Sequence, residues 1–270
     1  MPSGVYIAHK KDNTEYYRVS ITYKNKHISL GSFDDIKKAS EVYHEALSIT
    51  DKDSSHGVNT ETFTTTYDRN RLNIPFEKFI ILINFRDNGI YIKTPIYMCH
   101  KYFLYFMNEE TVLAFSADDL FYYSNHKIMS RGGYFFVNDY GMQTSILARY
   151  GIRSHSVKGR DYIFRNGNEH DFRYENVQVI NPFNGVKKIT KKGRTMYRAS
   201  IHINGSYIIG DYQSEVQAAV AYNKAIDMIK GKTAVAYTPN YIESISNIEY
   251  TSLYNMVKIS KKFRDYLKTL

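Results

Sequence analysis

The two ends of the chain carry the same ordered set of short motifs, about 180 residues apart, and this repeat constrains the fold more than any other feature. Each copy opens on a Gly-Val pair, at Gly4 and Gly185, and continues with a Tyr-Arg-x-Ser-Ile run that starts at Tyr17 or Tyr197. A Leu-Gly-Ser-Phe or Ile-Gly-Asp-Tyr motif follows, and then an alanine-rich segment with a central tyrosine. We therefore expect one structural module to occur twice.

Periodicity predicts the secondary structure of this module. The apolar residues from Tyr197 to Ile203 fall at every second position, which is typical of a strand with one buried face. Asn204 and Gly205 favour a tight hairpin turn before a returning strand. The alanine-rich segments then have helical spacing. Each copy is predicted to be a three-stranded antiparallel sheet with a helix on one face and the other face bare.

The bare face of each predicted sheet is a candidate binding surface. Positive charges and hydrogen-bond donors on such a face suit a phosphate backbone with base edges between the strands, and an ordinary solvated face is the alternative. Acidic residues accompany the first copy, so we expect it to contribute less affinity. The candidate DNA-binding residues are Lys187, Lys188, Lys191, Arg194, Arg198, Ser200 and His202 in the second copy and Tyr6, Arg18, Ser20, Thr22 and Lys24 in the first.

The repeated motifs resemble the ethylene-response-factor (Apetala-type) DNA-binding domain, in which Gly-Val, Trp-x-Ala-x-Ile, Leu-Gly-x-Phe and Ala-Ala-x-Ala-Tyr-Asp-x-Ala follow one another. That family lays its three-stranded sheet in the DNA major groove, so the resemblance implies double-stranded DNA as the partner. Lys187 and Tyr6 stand where the family has a base-reading arginine. The guanine-rich target of the plant proteins is therefore not expected here.

The segment between the copies has a different character. Residues 51–71 are rich in Asp, Ser, Thr and Asn, which predicts a linker. Phe79–Ile83 and Tyr102–Phe106 are apolar runs that predict strands of a further small core.

The second half of this segment, roughly from Phe115 to Ile180, is similar to the HNH homing endonucleases of phages and introns, which often carry an ethylene-response-factor domain directly downstream. In that family the motifs are Leu-His-Arg, Asp-His-Ile, Gly-Asn, Asp-Asn-Arg and Glu-Asn-Leu. The corresponding runs here are Leu147-Ala148-Arg149, Asp161-Tyr162-Ile163, Gly167-Asn168, Asp171-Phe172-Arg173 and Glu175-Asn176-Val177.

Departures from the HNH pattern predict a loss of catalysis. The chemistry needs a histidine that activates water and a divalent metal that stabilises the leaving oxygen. Ala148 and Tyr162 replace the two histidines and Phe172 replaces an asparagine, and a tyrosine with a pKa near ~10 is a poor base at neutral pH. His155 and His170 are out of register. The residual metal candidates are Asp161 and Asn176, and Arg165 and Arg173 are expected to add DNA contacts.

Composition sets the broad class. Lys and Arg number 36 against 27 Asp and Glu, a formal charge of +9 that favours an acidic partner such as nucleic acid. No apolar run approaches the ~18 residues of a membrane span, and the first ten residues do not have the pattern of a secretory leader. The lone Cys99 cannot form an intramolecular disulfide and fits a reducing cytoplasm.

The predicted fold class is α+β, with two sheet-plus-helix modules flanking a central domain. The boundaries we expect are a first module at 1–50, a linker at 51–73, a degenerate HNH-like domain at 74–182, a second module at 183–240 and a helical tail at 241–270. The tail has the spacing of one or two amphipathic helices. These helices would pack on their own module or, alternatively, support an oligomer.

The function predicted from these features is sequence-specific binding of double-stranded DNA, without a cofactor and without cleavage. The protein would be a phage or mobile-element transcriptional regulator derived from an HNH homing endonuclease, cytoplasmic and nucleoid-associated in a bacterial host. Two alternatives remain open: an active homing endonuclease with an altered active site, and a phage-encoded inhibitor that binds another protein.

Overall fold

The computed structural model describes residues 2–270 and divides into two compact units. One unit contains the chain up to Tyr150 together with Phe164–Gln178, and the other contains Gly151–Ile163 and Val179–Leu270. Helices alternate with several small, mainly antiparallel sheets, which confirms the predicted α+β class.

The first unit begins with a three-stranded antiparallel sheet and its helix. Strands β1 (Val5–His9), β2 (Glu15–Tyr23) and β3 (Lys26–Phe33) lie in sequence order, and α1 (Ile36–Thr50) packs on one face. Asp35 caps α1, because its carboxylate accepts hydrogen bonds from two backbone amides of the first turn.

The segment after α1 is ordered against the same core. It forms a short hairpin of β4 (Val58–Asn59) and β5 (Thr64–Thr65), and Phe63 and Tyr67 pack on the buried cluster of the first module. The stretch that we expected to be a linker is therefore partly built into the first unit.

The next element corrects a prediction. Phe79–Ile83 is not a strand but the centre of α2 (Phe76–Asn88), where these residues are at most 1% exposed. A helix buried on every side has no polar face, so its sequence lacks helical periodicity and is easily read as a strand. Gly89, at φ +71°, ends the helix in the left-handed conformation.

A second sheet in the first unit starts with β6 (Ile96–Met98), β7 (Tyr102–Phe106) and β8 (Val112–Ser116), which are antiparallel. The strand predicted at Tyr102–Phe106 is therefore confirmed. A 3-10 turn at Ala117–Asp119 follows.

A third sheet comes next in the chain. Helix α3 (Leu120–Asn125) leads into an antiparallel sheet of β9 (Ile128–Arg131), β10 (Tyr134–Asp139) and β11 (Met142–Ser145), and a 3-10 turn covers Ile146–Tyr150.

Three short strands occupy the region of the HNH-like motifs. Strands β12 (Tyr162–Phe164) and β14 (Val177–Val179) pair with each other. Strand β13 (Asp171–Phe172) pairs in parallel with β8 and so becomes the fourth strand of the second sheet.

The second unit repeats the architecture of the first module. Strands β15 (Val186–Lys191), β16 (Arg194–His202) and β17 (Ser206–Tyr212) form an antiparallel sheet in sequence order, and α4 (Glu215–Ile229) packs on one face. The recurrence predicted from the motifs is thus present at the level of strands and helix.

The C-terminal tail, for which one or two helices were predicted, forms two. They are α5 (Asn247–Met256) and α6 (Lys261–Tyr266). Val257, Phe263 and Leu267 are buried in the core of the second module, so the tail packs on that module. Among the described residues, no helix is both long enough and apolar enough to cross a membrane.

The glycine that opens each copy of the repeat has a steric role. Gly4 has φ +70°, and a Cβ placed on it would lie 2.2 Å from the ring of Tyr43 in α1. Gly185 has φ +66°, and its Cβ would lie 2.3 Å from the ring of Tyr222 in α4. The Gly-Val pair and the helix tyrosine recur together because the backbone lies directly against the ring.

Candidate nucleic-acid interface

Each three-stranded sheet carries an arginine at the middle of the face that its helix leaves open. In the second module Ala199 and Ile201 are buried, and the intervening positions of β16 point to the opposite face. Arg198 is paired across the sheet with Lys187 on β15 and with Asp211 on β17. The open face of this sheet, predicted to be basic, therefore also carries one carboxylate, that of Asp211.

Asp211 fixes this arginine in place. Its carboxylate accepts hydrogen bonds from Nε and Nη2 of Arg198 at 2.7 and 3.1 Å and from Nζ of Lys191 at 2.6 Å. The hydrogen bond from Arg198 is the main reason that the pKa of Asp211 is lowered to about 2. The carboxylate stays ionised and cancels part of the local positive charge.

Three other cations predicted for this face are available to a partner. Lys187, Lys188 and Arg194 are exposed, and none forms an ion pair with a described residue. His202 is exposed at the end of β16, whereas Ser200 is half-buried and its hydroxyl lies 3.4 Å from the carbonyl oxygen of Gly185.

The first module presents its arginine differently. Arg18 pairs across the sheet with Tyr6, which is 57% exposed, and with Ser32. Its guanidinium donates to the hydroxyl of Tyr16 at 3.1 and 2.7 Å and forms no ion pair with a described carboxylate. Thr22 is also exposed. No described carboxylate therefore offsets the positive charge of Arg18 on the open face.

Two predicted residues of the first module are placed away from the open surface. Ser20 is only 8% exposed, so its side chain offers little to a ligand. The ammonium of Lys24 donates to the carbonyl oxygens of Phe85 and Arg86 at 3.3 and 3.1 Å, at the end of α2. A lysine at a helix C-terminus is stabilised by the exposed carbonyls there, so the role of Lys24 is structural.

The three positions that the resemblance aligns with catalytic residues of the HNH pattern differ in their surroundings. Ala148 is exposed, Tyr162 is buried, and Phe172 is 3% exposed. The ring of Phe172 stacks on that of Phe115, with centroids 5.4 Å apart. Phe172 thus contributes to the apolar core of the first unit.

Asp161, one residual metal candidate, is used by its own loop. Its carboxylate accepts hydrogen bonds from the amide of Val157 at 2.8 Å, from the guanidinium of Arg160 and from Nδ2 of Asn181 at 3.1 Å. Burial alone would raise the pKa of Asp161, but these donors outweigh it and lower the pKa to about 2.

The side-chain amide of Asn176, the other metal candidate, is likewise fully used in hydrogen bonds within the protein. It is 4% exposed, its Nδ2 donates to the carbonyl oxygen of Asp171 at 2.8 Å, and its Oδ1 accepts from the amide of Asn166 at 2.8 Å. Within residues 2–270 no group of three or more His, Cys, Asp or Glu side chains is arranged to hold a metal ion.

The two arginines predicted to add DNA contacts have protein partners. Arg173 donates to both carboxylate oxygens of Asp171, at 2.8 and 2.6 Å, and its guanidinium lies over the ring of Tyr102. Arg165 donates to the side-chain oxygen of Gln178 at 3.2 Å. Arg173 is therefore mainly a structural residue, whereas Arg165 forms no ion pair with a described carboxylate.

The sequence did not predict the ion pair between Asp119 and Arg149 in the first unit. Asp119 is 1% exposed and accepts from the guanidinium of Arg149 and, at 3.1 Å, from the hydroxyl of Tyr174. Arg149 lies in one of the runs that resemble the HNH motifs, but its acidic partner lies 30 residues earlier in the chain. Only the tertiary structure brings the two together.

Comparisons with known proteins add no assignment. No protein-family model matches the sequence, and neither a curated protein nor a solved structure is significantly similar to it. The repeated arginine on the two open sheet faces is therefore the observation on which a functional interpretation depends.

Proposed function

We propose that the protein binds double-stranded DNA through the open faces of its two three-stranded sheets and does not cleave it. The observation that carries this proposal is the recurrence of an arginine at the same register position, Arg18 in one sheet and Arg198 in the other. A three-stranded antiparallel sheet can enter the major groove, where side chains of the central strand reach base edges and edge cations reach phosphates.

Charge supports the same conclusion. The chain has a formal charge of +9, and the first hairpin of the second module adds Lys187, Lys188 and Arg194 around Arg198 without pairing them. Binding of this kind would let the protein occlude a site or regulate transcription from it. The resemblance to mobile-element nucleases supports a regulator derived from such an enzyme and acting in a bacterial cytoplasm.

A selection experiment tests the proposal. The full-length protein is incubated with a library of random duplexes, and the bound fraction is amplified and sequenced over several rounds. We expect a shared motif to emerge and to bind at least 10³-fold more tightly than unrelated duplex, which is the lower end for specific DNA-binding proteins. A bound pool that stays random would contradict sequence-specific binding.

A further inference from the structure

The second unit contains a cleft of about 340 Å³ between its segment 151–163 and the sheet of the second module. Ligand pockets in proteins start at roughly 300 Å³, so the cleft is large enough for a phosphate and the sugar attached to it. Its polar lining is mainly basic or hydroxylic: Arg153, His155, Arg160, Lys187, Ser200 and His202.

Arg153 is the residue that gives the cleft its character. Its side chain is half-buried, and it donates from Nη2 to the backbone carbonyl oxygen of Pro182. It forms no ion pair with a carboxylate of the described residues, and burial lowers the pKa of its guanidinium. A partly desolvated arginine without an acidic partner is costly in the free protein and is compensated when an anion binds.

The single carboxylate in the cleft, that of Asp161, acts on Arg153 only at a distance and forms no ion pair with it. Asp161 already accepts from Arg160 and from the amides of Val157 and Asn181, so that Arg160 and Asp161 balance each other. Lys187 is exposed and has no ion pair among the described residues. The net charge that remains in the cleft is therefore positive, from Arg153 and Lys187.

We infer that this cleft binds a phosphate group and that, in the proposed complex, it holds a backbone phosphate of the duplex beside the open face of β15–β17. A guanidinium offers several donors in a fixed plane, which matches the oxygens of a phosphate better than an ammonium does. Lys187 lines the cleft and is also the cross-strand neighbour of Arg198 on the open face of the sheet, so the two surfaces are continuous. This inference rests in part on the proposed function.

The first arm of the test uses the protein alone with inorganic pyrophosphate as the probe. The ring protons of His155 and His202 are followed by NMR during the titration. We expect saturable shifts in the wild type and at least tenfold weaker binding by Arg153→Gln, whose shorter, uncharged side chain removes the guanidinium. Arg264→Gln, an exposed arginine of α6, is the matched control. Absence of saturable shifts in the wild type would overturn the cleft as a phosphate site, even if Arg153→Gln fails to fold.

The second arm measures DNA affinity as a function of salt concentration. Loss of one phosphate contact should make the slope of log K against log [salt] shallower by about 0.9 in Arg153→Gln. Pyrophosphate binding with an unchanged DNA slope would overturn the assignment to the duplex and leave a site for a free phosphate compound. Pyrophosphate binding by a wild type that binds no DNA would instead contradict the proposed function while supporting the cleft.

Discussion

Arg198 donates from two guanidinium nitrogens to the carboxylate of Asp211 on the neighbouring strand, at 2.7 and 3.1 Å. At the same register position in the first sheet, Arg18 faces Ser32 and donates to the hydroxyl of Tyr16. The second module thus pairs its arginine with a carboxylate, whereas the first pairs its arginine with an uncharged hydroxyl.

Removal of the carboxylate should strengthen non-specific binding. In Asp211→Asn, Arg198 and Lys191 lose their shared counter-charge, so we expect affinity for unrelated duplex to rise about three- to tenfold, or ~0.7 to 1.4 kcal/mol, with a steeper salt dependence. Fluorescence anisotropy at several salt concentrations measures both. Weaker binding to unrelated duplex would show that the fixed position of Arg198 matters more than net charge.

The same carboxylate should make stability depend on pH in the acid range. The pKa of Asp211 is about 2 in the folded protein, below its ordinary value of 3.8. A lowered pKa means that the stabilisation is fully present above about pH 4 and is lost as pH falls towards 2. Urea unfolding at pH 5 and pH 2.5 should show that the destabilisation by Asp211→Asn shrinks at the lower pH. An equal difference at both values would contradict this.

The steric role of the repeated glycine can be separated from its backbone conformation. Gly185 and Gly193 both have positive φ, at +66° and +72°, but only Gly185 has close neighbours, the ring of Tyr222 and the carbonyl oxygen of Ser200. We expect Gly185→Ala to cost about 2 to 4 kcal/mol, and Gly193→Ala only the about 1 to 2 kcal/mol of the left-handed conformation. Urea unfolding measures both. Similar losses would mean that the close contacts of Gly185 add nothing.

The sequence predicted the parts of the fold that have a clear period or a repeat. Strand β16 alternates buried and open positions, so its arginine and histidine could be assigned to one face before the structure was known. The error at Phe79–Ile83 arose because a fully buried helix and a buried strand have the same apolar composition. Gly89, which ends that helix, was the local signal that favoured the correct assignment.

The site was less predictable than the fold, because side-chain partners lie far apart in the sequence. Lys24 lies in the turn between β2 and β3, and its ammonium binds carbonyl groups some 60 residues later, at the end of α2. The cleft around Arg153 joins a loop to a sheet that begins more than 30 residues downstream, and no spacing rule connects them. Strand periodicity defines a face but does not identify which of its residues are already paired.

The absence of nuclease activity is a direct prediction. Phe172 is part of an aromatic stack and the oxygens of Asp161 are saturated by donors, so a metal and an activated water lack their protein partners. Supercoiled plasmid carrying the selected site should remain supercoiled for hours with Mg²⁺ or Mn²⁺. Metal-dependent nicking that Asp161→Ala abolishes would support the alternative of an active endonuclease.

The contribution of the sheet face to DNA binding is the central claim, and a triple substitution tests it most directly. Lys187, Arg198 and His202 are changed together to Ala, and affinity for the selected duplex is measured by anisotropy over a range of salt concentrations. Arg18→Ala with Thr22→Ala is compared in parallel, and Lys230→Ala, at the end of α4, is the control. We expect the triple variant to bind at least tenfold more weakly, ~1.4 kcal/mol, with a shallower salt dependence, and the first-module variant to lose less. Unchanged affinity of the folded triple variant would contradict the assignment of DNA binding to this face.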